Sequence, residues 1–374
     1  MNQDFSLSTV YYWDLRTSRK APFDVRIRRL LKKSEIAGYL RPEDLLALKI
    51  HFGEQGTTGF ISPRLIKPFV EFFRKCGTKP FLTDTNTLYT GQRGESVSHS
   101  MQAADHGFDP NLLGAPVIIA DGLKSGNQAT LQYPGRHFEN FYLAGDIVEA
   151  DRIVNLSHFK GHPLTGFGGA LKNLGMGCAT RKGKMQQHCD LGPLVNKELC
   201  QGCGECIHVC SPGALSLNTE GVIDLDDKLC TGCAACLHTC PTGALRVNWK
   251  VDVQRFLERM LEYAAAVIKT RRSPLLNINF VLQVSPGCDC ENHTDSPLCP
   301  DIGILASYDP VALDKASLDL VNQATPLQPS RLPENIERKQ DKFLALYEHV
   351  PLNHFFEYAK QLNLGDARYR LLQI

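Results

Sequence analysis

The sequence carries no surplus of either charge: 41 basic and 40 acidic residues, well mixed, leave a net +1 over 374 residues. No basic field argues for nucleic acid, and no acidic tail suggests a solvating arm. No apolar run approaches a membrane span, and the opening stretch, MNQDFSLSTVYYWDL, has neither a cationic n-region nor an apolar h-region. The expectation is a soluble, cytoplasmic chain with no nucleic-acid or membrane partner. A nicotinamide fingerprint is missing too, because the glycines of GFGGALKNLG are not followed by the expected acidic residue. Nothing supports a flavin. There is no low-complexity linker, so the two or three domains that the length allows must be told apart by their motifs.

Cysteine is what the chain has in excess. Eight of the fourteen fall between Cys200 and Cys240, in two runs of C-x2-C-x2-C-x3-C: Cys200-Cys203-Cys206-Cys210 and Cys230-Cys233-Cys236-Cys240. Three thiolates on one tight loop can each reach a different iron of a [4Fe-4S] cube, and in two-cluster modules the fourth ligand comes from the other run. This assigns Cys200, Cys203, Cys206 and Cys240 to one cluster and Cys230, Cys233, Cys236 and Cys210 to the other. An internal repeat supports the assignment. Every cysteine recurs thirty residues on, as do Gly202/Gly232, His208/His238 and the Gly-Ala-Leu tripeptides 213–215 and 243–245. Zinc also takes paired Cys-x2-Cys arms, but it has no use for three successive thiolates plus a fourth at x3. A disulfide framework does not suit a long chain read as lacking a secretory leader.

The segment from Gly192 to Asn248 resembles bacterial-type two-cluster ferredoxins. One departure is visible: Cys240 is followed by Pro241, as in that family, whereas Ser211 stands between Cys210 and Pro212. This alters the local backbone exit and leaves the ligand count intact.

Outside this segment, apolar runs alternate with helical patterns. Leu46 to Phe52 reads as a strand, Ser62-Pro63 as the start of a helix interrupted at Pro68, and Pro80 to Thr83 as the next strand, together a β-α-β unit. Further strands are read at 116–120, 142–144, 152–156 and 275–284, and an amphipathic helix from Val251 to Lys269. Asp309-Pro310 reads as a helix cap rather than an acid, and the tail from Glu334 as mostly helical. Because sheet-like sequence resumes after the cysteine runs, the segment 191–248 is read as an insertion. The fold expected is α/β: an open, mostly parallel sheet with helices on both faces, formed by residues 1–190 and 249–374, carrying a small α+β ferredoxin-like module.

In such sheets ligands gather beyond the carboxyl ends of the strands, where His51, Asp84, Asp121, Asn155 and His158 are expected. The stretch NLSHFKGHPLTGFGGALKNLGMGC adds His158, Lys160, His162 and Lys172 among glycines, a set suited to holding an anion or moving protons; the alternative is a glycine-rich turn with surface histidines. His51 with Glu54 either joins this site or forms a capping loop. Cys288, Cys290 and Cys299 form a second candidate metal group, with Cys178 or Cys189 as a distant fourth ligand; the alternative is reduced cysteines lining a turn or pocket. Cys76 reads as a buried thiol.

The motifs HFGEQGTTGF, VNLSHFKGHPLTGFGGALKNLGMGC and GCDCENHTDSPLCPDIGILASYDPVALD, in that order, resemble the iron-sulfur centre proteins that contain domain of unknown function 362 with an inserted ferredoxin-like segment. The resemblance runs from about residue 8 to 330. It implies an α/β host with two [4Fe-4S] clusters and imports no substrate. Three functions are thereby set in competition. In the first, a redox partner exchanges single electrons with a site in the host. In the second, the module is a plain carrier that the host docks to a larger complex. In the third, the host is a non-redox enzyme or binding protein and the clusters are structural.

Overall fold

Runs in which every second residue is buried toward the same side build the host. The computed structural model describes residues 7–189, 192–249 and 252–374. Residues 1–6 of the opening stretch, residues 190–191 at the expected host–module boundary, and Val251, where the amphipathic helix was expected to begin, lie outside the described residues. Eight strands form one sheet: β1 (Ser8–Trp13), β2 (Leu45–Lys49), β3 (Lys79–Asp84), β4 (Val117–Ile119), β5 (Arg152–His158), β6 (Leu276–Val281), β7 (Gly303–Ser307) and β8 (Tyr369–Gln373). Their order is β8-β1-β7-β6-β5-β2-β3-β4, and every neighbouring pair is parallel except those that β7 makes with β1 and β6. This is the open, mostly parallel α/β sheet expected.

Alternation along the strands divides the core in two. Leu46, Leu48, Val154, Leu156, Ile278 and Phe280 pack on one face with Ile27, Leu31, Ile66, Phe69 and Phe73 of the helices Phe23–Lys33 and Pro63–Lys75. Ala47, Ile153, Val281 and Leu305 pack on the other with the helices Val253–Lys269 and Pro310–Gln323. Pro68 does not end its helix. The hydrogen bond it cannot donate would go to the carbonyl of Arg64, an exposed residue in the first turn, where solvent has access. Asp309 caps the helix it precedes, its Oδ1 accepting from the N–H groups of Val311 and Ala312 at 2.9 Å each.

Two expectations are corrected. The strand at 142–144 is not in the main sheet: Asn140–Ala144 pairs antiparallel with Gln128–Gln132 as a separate hairpin. The tail contains the helices Lys342–Leu346 and Leu352–Gln361 but ends in β8, which pairs parallel with β1 at the sheet edge. Between residues 192 and 249 the chain builds a third, smaller core from Cys206, Leu215, Ile223, Ala234, Leu237, Leu245 and Val247, closed by Leu88 and Met185 of the host. Among the described residues no helix is long and apolar enough to cross a membrane.

Candidate functional site

The cysteine-rich segment repeats its backbone as well as its sequence. Gly202 and Gly232 take φ +66° and +67°, and Gly204 is matched by Ala234 at +77° and +60°. These left-handed residues turn each loop tightly enough for its three thiols to converge, and Ala234 accepts the strain that glycine avoids in the first half. One small cavity is lined by Cys200, Cys203, Cys206 and Cys240, and a second by Cys210, Cys230, Cys233 and Cys236. Burial first, then the charges of Cys233, Cys230, Cys206 and Cys210, push the Cys236 thiol up to about 12. Four sulfurs that penalise one another's ionisation in this way suit a cationic centre that neutralises them. Backbone donors already point at the sulfurs: Ala214 N–H at 3.2 Å from Cys210 Sγ and Ile223 N–H at 3.4 Å from Cys200 Sγ. Against the effect of burial, donors from Thr242, Leu245 and Ala244 hold the Cys240 thiol below its ordinary value. The donor set fits an iron-sulfur cluster, whose potential such bonds tune.

A second site opens at the carboxyl ends of β2, β3 and β5, a cavity of about 490 Å³. His51 and Asp84 enter from β2 and β3, and Ser157 and His158 from β5. The short hairpin Lys160–His162 with Gly166–Gly168 supplies Lys160 and His162, and Lys172 follows from the helix Ala170–Gly175. The glycines permit close approach: a Cβ on Gly161 would sit 1.9 Å from the carbonyl oxygen of Pro286, and one on Gly169 2.3 Å from Asp314 Oδ1. All four residues singled out from the glycine-rich stretch line this one cavity. Asp121 and Asn155 do not. Asp121 accepts from the Asn86 backbone N–H and side-chain amide at 3.0 Å, and Asn155 lies within β5, fixed to Asn277 and Asn173 at 2.9 and 2.7 Å. Glu54 also stays behind the wall, its carboxylate 3.3 Å from Arg93 Nε.

Two buried carboxylates organise the charge. Burial opposes ionisation of Asp84, yet Lys49 at 2.9 Å, with His99 and Arg93, draws it down to about 2. Asp289 contacts His158 Nδ1 at 2.9 Å and Lys160 Nζ at 3.0 Å, and these two neighbours overcome burial to hold it far below the ordinary carboxylate range. The other nitrogen of His158 faces the carbonyl of Leu282 at 2.7 Å. His158 is thus tied at both ends and serves to position Asp289. Burial, then Lys172 and Lys160, keep His162 neutral. Burial also lowers the Lys184 ammonium to about 8, against the pull of Asp121 and Asp84. Its Nζ reaches Thr85 Oγ1 at 2.6 Å and bonds the carbonyl of Asn86.

The candidate metal group changes membership. Cys299 is buried in the host core with Lys342 and Asp301 as its charged neighbours, and burial pushes its thiol up to about 12. Its place beside Cys288 and Cys290 is taken by His162, the three ligand atoms lying within 4.8 Å of one another. Cys189 Sγ instead approaches the carbonyl of Asn248 at 3.6 Å, and Cys178 Sγ that of Asn173 at 3.7 Å. Arg93, Tyr89, Lys184 and Asp289 are the site residues that sequence reasoning missed. Only Asp289 left a signal, as the middle residue of Cys-Asp-Cys.

Residues 46–319 match the family described as Domain of unknown function (DUF362). A protein named probable ferredoxin, from Methanosarcina thermophila, is 46% identical over 33 residues, 9% of this chain and 57% of that protein. The chain therefore covers little more than half the length of this curated relative. Among solved structures, a Thermotoga maritima protein from a structural genomics consortium superposes with a TM-score of 0.46 at 11% identity, over 83% of this chain and 61% of that one. The lactate racemase apoprotein from Thermoanaerobacterium thermosaccharolyticum gives 0.33 at 12% identity, over 64% and 49%.

Proposed function

Since the chain belongs to the family described as Domain of unknown function (DUF362), a description that assigns no reaction, we propose from its own residues that it is an iron-sulfur redox protein with two [4Fe-4S] clusters. The short ferredoxin likeness and the abundance of cysteine point to iron-sulfur binding. In this reading residues 191–248 act as an inserted two-cluster module. Cys200, Cys203, Cys206 and Cys240 would hold one cluster and Cys210, Cys230, Cys233 and Cys236 the other. When bound, such clusters supply one-electron transfer, here between a redox protein partner and the host pocket.

The observation that carries this reading is the seam between the second cysteine loop and the pocket wall. His238, two residues after Cys236, lies against the backbone at Thr87 and Leu88, and both of these residues line the pocket. Its ring also packs against Gly94, where a Cβ would meet Nδ1 at 3.0 Å. The repeat-related His208 is exposed. The second half of the module thus faces the host, and the first half is free for a partner. In the pocket, Lys172 is available to an anionic group, whereas Arg93 is held by Glu54 and Asp84. Lys184, lowered toward neutrality, can give up a proton, while His158 and Lys160 hold Asp289 in place.

Iron and sulfide analysis of anaerobically purified protein, with paramagnetic resonance after reduction by a low-potential donor, tests the reading. The expected content is about eight iron atoms per chain with two interacting paramagnets. Zinc in place of iron, or clusters that never turn over with any acceptor, would sink it.

A further inference from the structure

We propose that Cys288 and Cys290 form a redox-active dithiol–disulfide couple whose disulfide serves as the two-electron acceptor of the host pocket. This rests on the function proposed above, which supplies its one-electron donors. Cys290 lines the pocket, and Cys288 lies buried behind it. The turn that joins them is pinned at its middle residue, Asp289, by His158 and Lys160. Cys288 Sγ lies 3.5 Å from Lys172 Nζ and 3.4 Å from the backbone N–H of Cys290. The neighbouring Cys290 side chain, then Lys172 and Lys160, hold the Cys288 thiol well below its ordinary value against the effect of burial, while Cys290 is raised. One sulfur is therefore built to be a thiolate, and its neighbour to keep a proton.

Distance alone would also suit a Cys2His metal site with an open position. The ring of His162 argues otherwise. Its Nδ1 accepts from the backbone N–H groups of Leu164 and Thr165, each at 3.2 Å, so the neutral ring carries its proton on Nε2. A metal-binding histidine has the reverse arrangement, with the nitrogen away from the metal acting as donor. Here Nε2 offers a hydrogen, and the lysines already supply the positive charge that a metal would bring.

The step balances. The Cys288–Cys290 disulfide takes up two electrons and one proton; the S–S bond breaks, Cys288 becomes thiolate and Cys290 becomes thiol. Two iron-sulfur centres, each oxidised by one electron, match this one couple.

The whole protein, purified anaerobically, is oxidised with diamide, desalted and exposed to reduced methyl viologen. Samples are denatured in iodoacetamide at each stage, and the mass of the fragment holding Cys288, Cys290 and Cys299 is read. The expected count is three alkyl groups at first, one after diamide and three again after viologen. In Cys236→Ser the oxidised fragment stays at one with viologen and returns to three with dithiothreitol. A fragment that keeps three after diamide, or stoichiometric zinc lost on Cys288→Ser, overturns the dithiol. The iron count separates the two ideas: iron far below about eight atoms per chain defeats the proposed function even where dithiothreitol opens the disulfide.

Discussion

The cysteines of the cysteine-rich segment and those of the pocket put the same atom in opposite surroundings. In the segment, sulfurs crowd other sulfurs and meet mainly backbone N–H groups, so that ionising one makes the next harder. At Cys288 the partner is Lys172, 116 residues earlier in the chain, with Lys160 close by. Sulfurs without cations call for a cation to be bound. Sulfurs among lysines are themselves the charge that the protein has prepared to hold.

The largest effect should come from removing iron. The segment buries few apolar side chains of its own and borrows Leu88 and Met185 to close its core, so on the proposed function its folding free energy would depend heavily on the iron-sulfur centres it holds. Anaerobic chelation should open residues 192–249 to limited proteolysis while the eight-stranded sheet persists in circular dichroism. A segment that stays protease-resistant without iron would erase the contrast. The host's counterpart is Asp289→Asn, which strips His158 and Lys160 of a buried counter-charge and should cost about 3–5 kcal/mol in denaturant unfolding. A loss below about 1 kcal/mol would mean that Asp289 does not organise the pocket.

How far each region was legible follows from the range of its contacts. The sheet's central strands could be read because both faces are buried and the runs are apolar, as in Leu46–Leu48 and Ile278–Val281. The edge strand β8 could not, since four of its five residues are exposed and no burial pattern marks it. Nor does sequence carry direction: β7 is as apolar as its neighbours yet runs antiparallel. In the cysteine segment, spacing, glycine positions and the thirty-residue repeat are all local, so the grouping of thiols could be stated from residues close together. The pocket offered only partial signals. The glycine-rich stretch revealed His158, Lys160, His162 and Lys172, but Cys299 looked like a partner of Cys288 by spacing alone and lies in the core with Lys342. The substitution of His162 for Cys299 depends on the hairpin that carries His162 meeting the Cys288 turn, which is a tertiary fact.

A smaller effect separates the pocket's cations from ordinary surface lysines. The Lys184 ammonium is penalised by burial and sits at about 8, below the usual 10.5. Below that value both folded and unfolded chains are protonated, and the fold bears the full cost of the buried charge. As pH rises past it the folded chain sheds its proton first, so the unfolded chain binds more and stability increases until the unfolded lysine titrates. The urea midpoint should therefore climb between pH 7.5 and 9.5 by an amount worth about 2 kcal/mol, and Lys184→Met should flatten the climb. A wild-type midpoint that falls over this range would contradict the burial of an unshielded ammonium.

The finest test concerns the thiolate itself. If Lys172 is what distinguishes Cys288 from the cysteines of the cysteine-rich segment, Lys172→Met should raise its titration midpoint and slow its alkylation near neutral pH by roughly tenfold, one pH unit of midpoint being about 1.4 kcal/mol. The alkylation rate of Cys288, followed by mass spectrometry from pH 5 to 9, gives the midpoint directly. The Cys290 N–H bond remains in this variant, so a residual depression is expected. An unchanged profile would assign the thiolate to Cys290 alone, and the lysine would then act on whatever occupies the pocket.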